Sequence, residues 1–277
     1  MQHKQQTNPM DTAAPDPLQV IRRRIDAIDE QMHRLLIERS SMIAELIEIK
    51  GSSKSGAAFR PDREADMMRR LARRHEGALP LVTVEHIWRE IITTFTAMQA
   101  PFAITAGPAH DPLGLRDAIR FYFGFSIPVA NFATAEAAID AVAGGAGHIA
   151  VVAAEANGRW WAQLAGSGKP RIFAKLPFIE IPGRPAGLPA YVIGPALDDA
   201  SPADVQVFAI AVADGLEAAI RSHEGQVVGR AGDDLLVELP AATTLDDVAG
   251  ATGQALGDVR HLGGFAQPIR YVSDRTA

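Results

Sequence analysis

Apolar side chains recur at Leu18, Ile21, Ile25, Ile28, Met32, Leu35, Met42, Leu46 and Ile49 in steps of three and four. That spacing predicts one helix from about Asp16 to Lys50, longer than the usual ~3–4 turns. Its one gap, between Leu35 and Met42, is filled by Arg39. Such a seam must lie against other helices, so the Arg39 guanidinium is expected inside a packed interface, where it needs an anionic partner. Lys50 follows three turns later, about 20° off the same face, with the two α-carbons roughly 16 Å apart. Two long cationic side chains so placed can converge on one small ligand. Arg22 lies roughly 25 Å from Arg39 along the axis and on a different face. It cannot easily reach a ligand held by its own chain, but an antiparallel second copy of the helix would bring it there.

A polar stretch, Gly51-Ser52-Ser53-Lys54-Ser55-Gly56, ends the long helix. Phe59-Arg60-Pro61-Asp62-Arg63-Glu64 then opens a second, with an inner stripe of Glu64, Met67, Met68 and Leu71 and with Arg69, Arg70, Arg73 and Arg74 expected to face water. After a break at Gly77 to Pro80, Val84, Ile87, Ile91, Phe95 and Met98 predict a third helix, with Ile92 and Gln99 close to one face. From Pro101 the texture changes. Apolar runs at 102–105, 148–152, 191–193 and 205–210 alternate with helical stretches near 113–123, 133–142 and 216–221, the pattern of an α/β domain with a largely buried sheet. Gly166-Ser167-Gly168-Lys169 has part of the look of a phosphate loop, but Pro170 follows the lysine and the earlier glycine is missing, so it reads as a turn.

With 277 residues the chain can hold two domains. The expected organisation is a disordered tail over 1–15, a helical domain over 16–100 and an α/β domain over 101–277. The chain has no cysteine, which excludes disulfides and thiol chemistry and fits a reducing cytoplasm. A net charge of −6 argues against nucleic acid as a partner, including at the arginines of the second helix. No run is long and apolar enough to span a membrane. The scattered histidines show no metal-ligand spacing on a helix. Arg22, Arg39, Lys50, Glu64 and Gln99 are polar groups that could gather in an otherwise apolar cleft. Because cations outnumber the acid, the expected ligand is a small dianion with a hydroxyl.

Asp16-Pro17-Leu18, Arg22, Ile25-Asp26-Ala27-Ile28-Asp29, Leu35-Leu36-Ile37-Glu38-Arg39, Lys50, Arg60-Pro61-Asp62-Arg63-Glu64, Ile91-Ile92 and Gln99 together form a pattern that resembles the all-helical chorismate mutases. The resemblance implies a three-helix fold in an intertwined homodimer, chorismate as substrate and no cofactor or metal. Position by position, it implies that Arg22 crosses to the partner's site and binds a substrate carboxylate, and that Arg39 pairs with the carboxylates too. Lys50 and Gln99 would hydrogen-bond the ether oxygen of the breaking bond, and Glu64 would hold the ring hydroxyl. Leu46 and Ile92 match wall positions, and Arg63 falls within the matched motif as a substrate-binding position. Two binding positions depart from the best-known pattern: Arg60 stands where some members carry an aspartate, and Phe95 where they carry a serine.

The second half resembles prephenate dehydratase, with a periplasmic-binding-like α/β fold implied. Ala141-Val142 before Gly147-His148-Ile149-Ala150-Val151-Val152 and Glu155 is similar to that family's second-lobe strand, and Leu262-Gly263-Gly264-Phe265 to the close of its small, ACT-like regulatory domain. Leu188-Pro189-Ala190 stands in place of the family's catalytic Thr-Arg-Phe, and Ala156 replaces the asparagine after Glu155. The expectation is therefore a mutase fused to a dehydratase-like domain that cannot dehydrate. Three alternatives stay open: a bifunctional mutase and dehydratase, a related helical fold that eliminates pyruvate from isochorismate, and a non-catalytic sensor of an aromatic-pathway acid.

Overall fold

The computed structural model describes residues 16–50, 59–145, 148–196 and 202–271. The tail expected over 1–15 and the loop expected over Gly51 to Gly56 lie outside the described residues. The chain forms two compact units, residues 1–51 and residues 52–277.

The first unit is built on one helix, α1 (Pro17–Lys50), 34 residues long and so about 51 Å from end to end. Asp16 caps it, its Oδ1 accepting a hydrogen bond from the Leu18 amide at 3.1 Å. Pro17 occupies the first turn, where a missing N–H is no loss. Along α1 the seam residues Leu18, Ile25, Ile28, Met32 and Leu35 are each more than half exposed.

The second unit opens with α2 (Pro61–Arg74) and α3 (Leu81–Gln99). Ala65, Met68 and Leu71 of α2 and Leu81, Val84 and Ile92 of α3 are buried in one cluster with Phe178 and Ile179. The buried face of α3 runs through Leu81, Glu85, Arg89, Ile92 and Thr96. Of the expected positions Val84, Ile92 and Phe95 are buried, whereas Ile87 and Met98 are exposed. Arg69 also differs from expectation. It is largely covered and bonds the Asp204 carboxylate at 2.5 Å, with its guanidinium over the Phe178 ring. Arg70, Arg73 and Arg74 are exposed, as the periodicity suggests.

Beyond Pro101 lies a nine-stranded mixed sheet. Its first part is β1 (Ile104–Ala106), α4 (Pro112–Phe123), β2 (Val129–Asn131), α5 (Ala135–Ala143) and β3 (Ile149–Ala153). A 3₁₀ turn (Trp160–Leu164), β4 (Arg171–Leu176), β5 (Ile179–Glu180) and β6 (Ala190–Gly194) follow. Strands β2, β1 and β3 are parallel neighbours, and β6 runs antiparallel between β3 and β4. Every residue of β3 and β6 is buried, because both faces of the sheet are covered, and that is why these strands read as unbroken apolar runs. Ile149, Val151 and Ala153 pack with Leu115 and Ile119 of α4, while Ala150 and Val152 pack with Ile139 and Val142 of α5. The two helices thus cover opposite faces. Gly166 to Lys169 forms the expected turn ahead of β4.

The last part is β7 (Val205–Ala211), α6 (Leu216–Ser222), β8 (Gln226–Ala231), β9 (Asp234–Pro240), α7 (Leu245–Thr252) and β10 (Val259–Phe265), with β11 (Ile269–Arg270) pairing β5. It is a βαββαβ unit whose strands lie in the order β10-β7-β9-β8, all antiparallel. That element order is the ferredoxin-like, split βαβ arrangement. Its edge strand β10 meets β4 in parallel at Gly263 and Ile172, joining the two parts into one sheet. Gly263 has φ +126°, and a Cβ there would stand 2.2 Å from the Ile172 carbonyl oxygen, so this join requires glycine.

Candidate functional site

On α1, Arg39 is half-buried whereas Arg22, Arg23, Arg24 and Arg34 are exposed. Leu46 is half-buried one turn before the helix end, and Lys50 is the last helical residue. Arg39, Leu46 and Lys50 therefore follow one another on a single continuous helix, as the spacing required.

In the second unit, α2 and α3 carry the remaining candidates. Arg60 precedes α2 and donates to the Phe59 carbonyl at 3.1 Å. Arg63 is exposed in the first turn. Ile92 and Phe95 are buried on α3, and the half-buried Gln99 donates its amide to the Phe95 carbonyl at 3.0 Å. Glu64 is half-buried at the edge of a cavity of about 60 Å³ that is also lined by Ile92, Thr93, Tyr122, Lys175 and Phe178. Burial pushes its carboxyl above the ordinary range, Arg89 pulls the other way, and Asp62 adds to the rise.

Glu64 is held from α3 by Arg89, whose Nη1 lies 3.5 Å from Glu64 Oε2. Arg89 Nε is 3.8 Å from Glu85 Oε1, and the fully buried Glu85 also receives Arg184 Nη1 at 3.0 Å and the Tyr122 hydroxyl at 3.2 Å. Tyr122 in turn accepts the Phe178 amide at 2.9 Å. Burial and the Glu85 charge push the Tyr122 hydroxyl up, so it remains a donor. Glu85 and Arg89 are not among the polar groups expected from the sequence. The available signal was their spacing, since 81, 85, 89, 92 and 96 form a helical stripe in which two charged residues interrupt an otherwise apolar or small face.

A second cleft, about 380 Å³, opens where loops leave the carboxyl ends of β1, β2 and β3, lined by His110, Thr134, Glu136, Glu155 and Ala156. That is the usual ligand crevice of an open α/β sheet. Leu188 packs against the apolar cluster around β3 and β6, and Pro189 accepts the Ala154 amide at 2.9 Å through its carbonyl. Among the described residues no group of three or more His, Asp or Glu could hold a metal, and no helix is long and apolar enough to cross a membrane.

Residues 21–100 match the family described as chorismate mutase type II. A bifunctional chorismate mutase/prephenate dehydratase of Neisseria gonorrhoeae is 36% identical over 83 residues, covering 30% of this chain and 22% of that relative. One of Pseudomonas aeruginosa is 27% identical over 148 residues, covering 52% of this chain and 40% of the relative. The chain thus spans well under half the length of these relatives. The second match is longer than the segment 21–100 and so extends beyond it. Among solved structures, a prephenate dehydratase from Arthrobacter aurescens in complex with L-Phe aligns with a TM-score of 0.38 and 13% identity, covering 63% of this chain and 94% of that one.

Proposed function

We propose that residues 16–100 act as a chorismate mutase, converting chorismate to prephenate by an intramolecular rearrangement. One observation carries the reading: the segment that matches the mutase family contains Arg22, Arg39, Lys50, Glu64 and Gln99, the positions that the resemblance marks. The reaction needs no nucleophile and no obligatory proton transfer. Catalysis consists of holding an extended dicarboxylate in a compact chair and of stabilising negative charge that grows on the ether oxygen. Arg39 and Arg22 would bind the carboxylates, Lys50 and Gln99 would donate to the ether oxygen, and Glu64 would accept the ring hydroxyl. Arg63 and Arg60 would border the pocket, with Leu46, Ile92 and Phe95 as its apolar wall.

The proposed unit is a homodimer in which Arg22 serves the partner's site. Support comes from α1, whose apolar seam is exposed over most of its length and needs a covering surface. A second copy of the same helix fits that need, and it is the geometry in which Arg22 reaches a ligand between Arg39 and Lys50. Chorismate loss followed by ultraviolet absorbance tests the activity. Lys50→Ala and Arg39→Ala are each expected to lower turnover by roughly 10²-fold or more, with the dimer intact by size-exclusion chromatography. Near-normal rates in either variant would remove that residue's role.

For residues 101–277 the reading is a dehydratase-like domain with an ACT-like part from β7 to β10. The βαββαβ order of that part supports it. Leu188 provides no hydroxyl to assist loss of water and carbon dioxide. The second reading is a bifunctional enzyme, favoured by the names of the two relatives described above. Incubation with prephenate separates the two, since accumulation of phenylpyruvate would establish dehydration.

A further inference from the structure

Resting on the mutase reading, we propose that Arg89 is a positioning residue for Glu64, itself aimed by Glu85, Tyr122 and Arg184, so that the sheet body orients a residue of the mutase site. The chain of contacts starts in the body. Glu85 has no exposed surface, and a carboxylate so placed must be paired and hydrogen-bonded or it would be strongly destabilising. Its partners beyond residue 101 are Arg184, at 3.0 Å, and the Tyr122 hydroxyl, at 3.2 Å. Arg184 is itself fixed over the Phe121 ring, 4.8 Å from its centre, and donates to the Ile179 carbonyl.

Arg89 is then held on three sides. Its guanidinium lies 4.8 Å over the Tyr122 ring and 6.0 Å from the Phe178 ring centre, with Glu85 behind Nε. Its Nη1 reaches Glu64 Oε2 at 3.5 Å. Among the described residues this is the sole ion pair Glu64 makes, and it leaves Oε1 available to a ligand hydroxyl. A half-buried carboxylate that must accept such a hydroxyl has to be both oriented and ionised. A clamped guanidinium beside one oxygen does both. Among the described residues, other titratable groups near Glu64 include Asp62 on its own helix, which favours protonation, and Tyr122 and Lys175, from α4 and β4, which line the same cavity.

The test uses the full chain, ¹³C-labelled at glutamate, with Glu64→Gln to assign the Glu64 carboxyl signal. Arg89→Met is expected to raise the Glu64 titration midpoint above that of the unaltered chain. It should also move the acid limb of kcat/KM for chorismate upward by the same amount, and lower kcat/KM at neutral pH roughly 10-fold to 100-fold. Arg89→Lys keeps the charge and should restore the midpoint and the limb. If Arg89→Met does not fold, the neutral pair Glu85→Gln with Arg89→Met is read in the same way. An unchanged Glu64 midpoint in a folded variant would overturn the proposal while leaving the mutase reading in place. Failure of the unaltered chain to consume chorismate would sink the mutase reading, and the proposal that rests on it, even if the midpoint moved as expected.

Discussion

Helix α1 and the α2–α3 pair bury their apolar residues in opposite ways. Along α1, Ile28 is 55% exposed and Leu35 63%, whereas Met68 of α2 is fully buried and Leu81 of α3 is 4% exposed. All three helices come from the segment that matches one family. The difference teaches that α2 and α3 have found a covering surface in their own chain, the β5 region around Phe178 and Ile179. The sheet body is therefore a support for α2 and α3 as well as a second domain. The seam of α1 is exposed, and under the proposed function a second copy of the same helix would cover it.

The comparison breaks most visibly at the seam. In the proposed dimer, Ile25→Asp combined with Met32→Asp should remove roughly 1.5–3 kcal/mol of burial per side chain, raising the dissociation constant by at least about 100-fold. If Arg22 serves the partner's site as proposed, mutase activity should fall with it. Sedimentation equilibrium and rate measurements across protein concentration check both effects. Unfolding of residues 52–277, followed by near-ultraviolet signals of Trp160 and Trp161, should be little changed. A dimer that persists with the seam charged would show that the helix is covered by something else.

The self-sufficient body can be probed at Asp234, at the start of β9. Arg159 Nε, Trp161 Nε1 and Arg260 donate to its carboxylate at 2.6, 2.9 and 2.5 Å. Burial alone would raise this carboxyl, but the three hydrogen bonds and the Arg260 charge hold it below its ordinary value of 3.8. Because the folded value is the lower one, the stabilisation is present above the unfolded value and is lost as pH falls through the folded one. Asp234→Asn should cost about 1–3 kcal/mol at neutral pH and should flatten the loss of stability below about pH 4. Denaturant melts at neutral and acid pH check this, and the proposed dimer through α1 should be unaffected.

The smallest effect is expected at the capping box of α7. Thr244 Oγ1 accepts the Asp247 amide at 3.1 Å, and the Asp247 carboxylate accepts the Thr244 amide at 2.8 Å. Thr244→Ala should cost about 1 kcal/mol, read as a small shift in the denaturant midpoint. No change in mutase rate is expected.

Long periodic stretches were legible from the chain alone. The seam of α1 and its interruption at Arg39 needed only residue spacing, and the apolar runs that became β1, β3, β6 and β7 were plain because buried strands carry continuous apolar sequence. Strands β2 and β8 were not, since they lie at the edges of the sheet and carry exposed or mixed residues. The position of Arg69 was misjudged for a related reason. A basic residue beside Leu71 reads as solvated until Asp204, far away in the sequence, arrives to pair with it.

By itself the sequence determined which residue types could meet a small dianion and how far apart they stand on a helix, because helical geometry converts spacing into distance. It likewise determined where helices give way to strands and that no hydroxyl follows Gly187 at position 188. Only the tertiary structure decided that Glu85 and Arg89 are interior groups and that Tyr122 and Arg184 complete them. Pairing of a buried charge depends on residues tens of positions apart, and local periodicity carries no information about which of them will be neighbours.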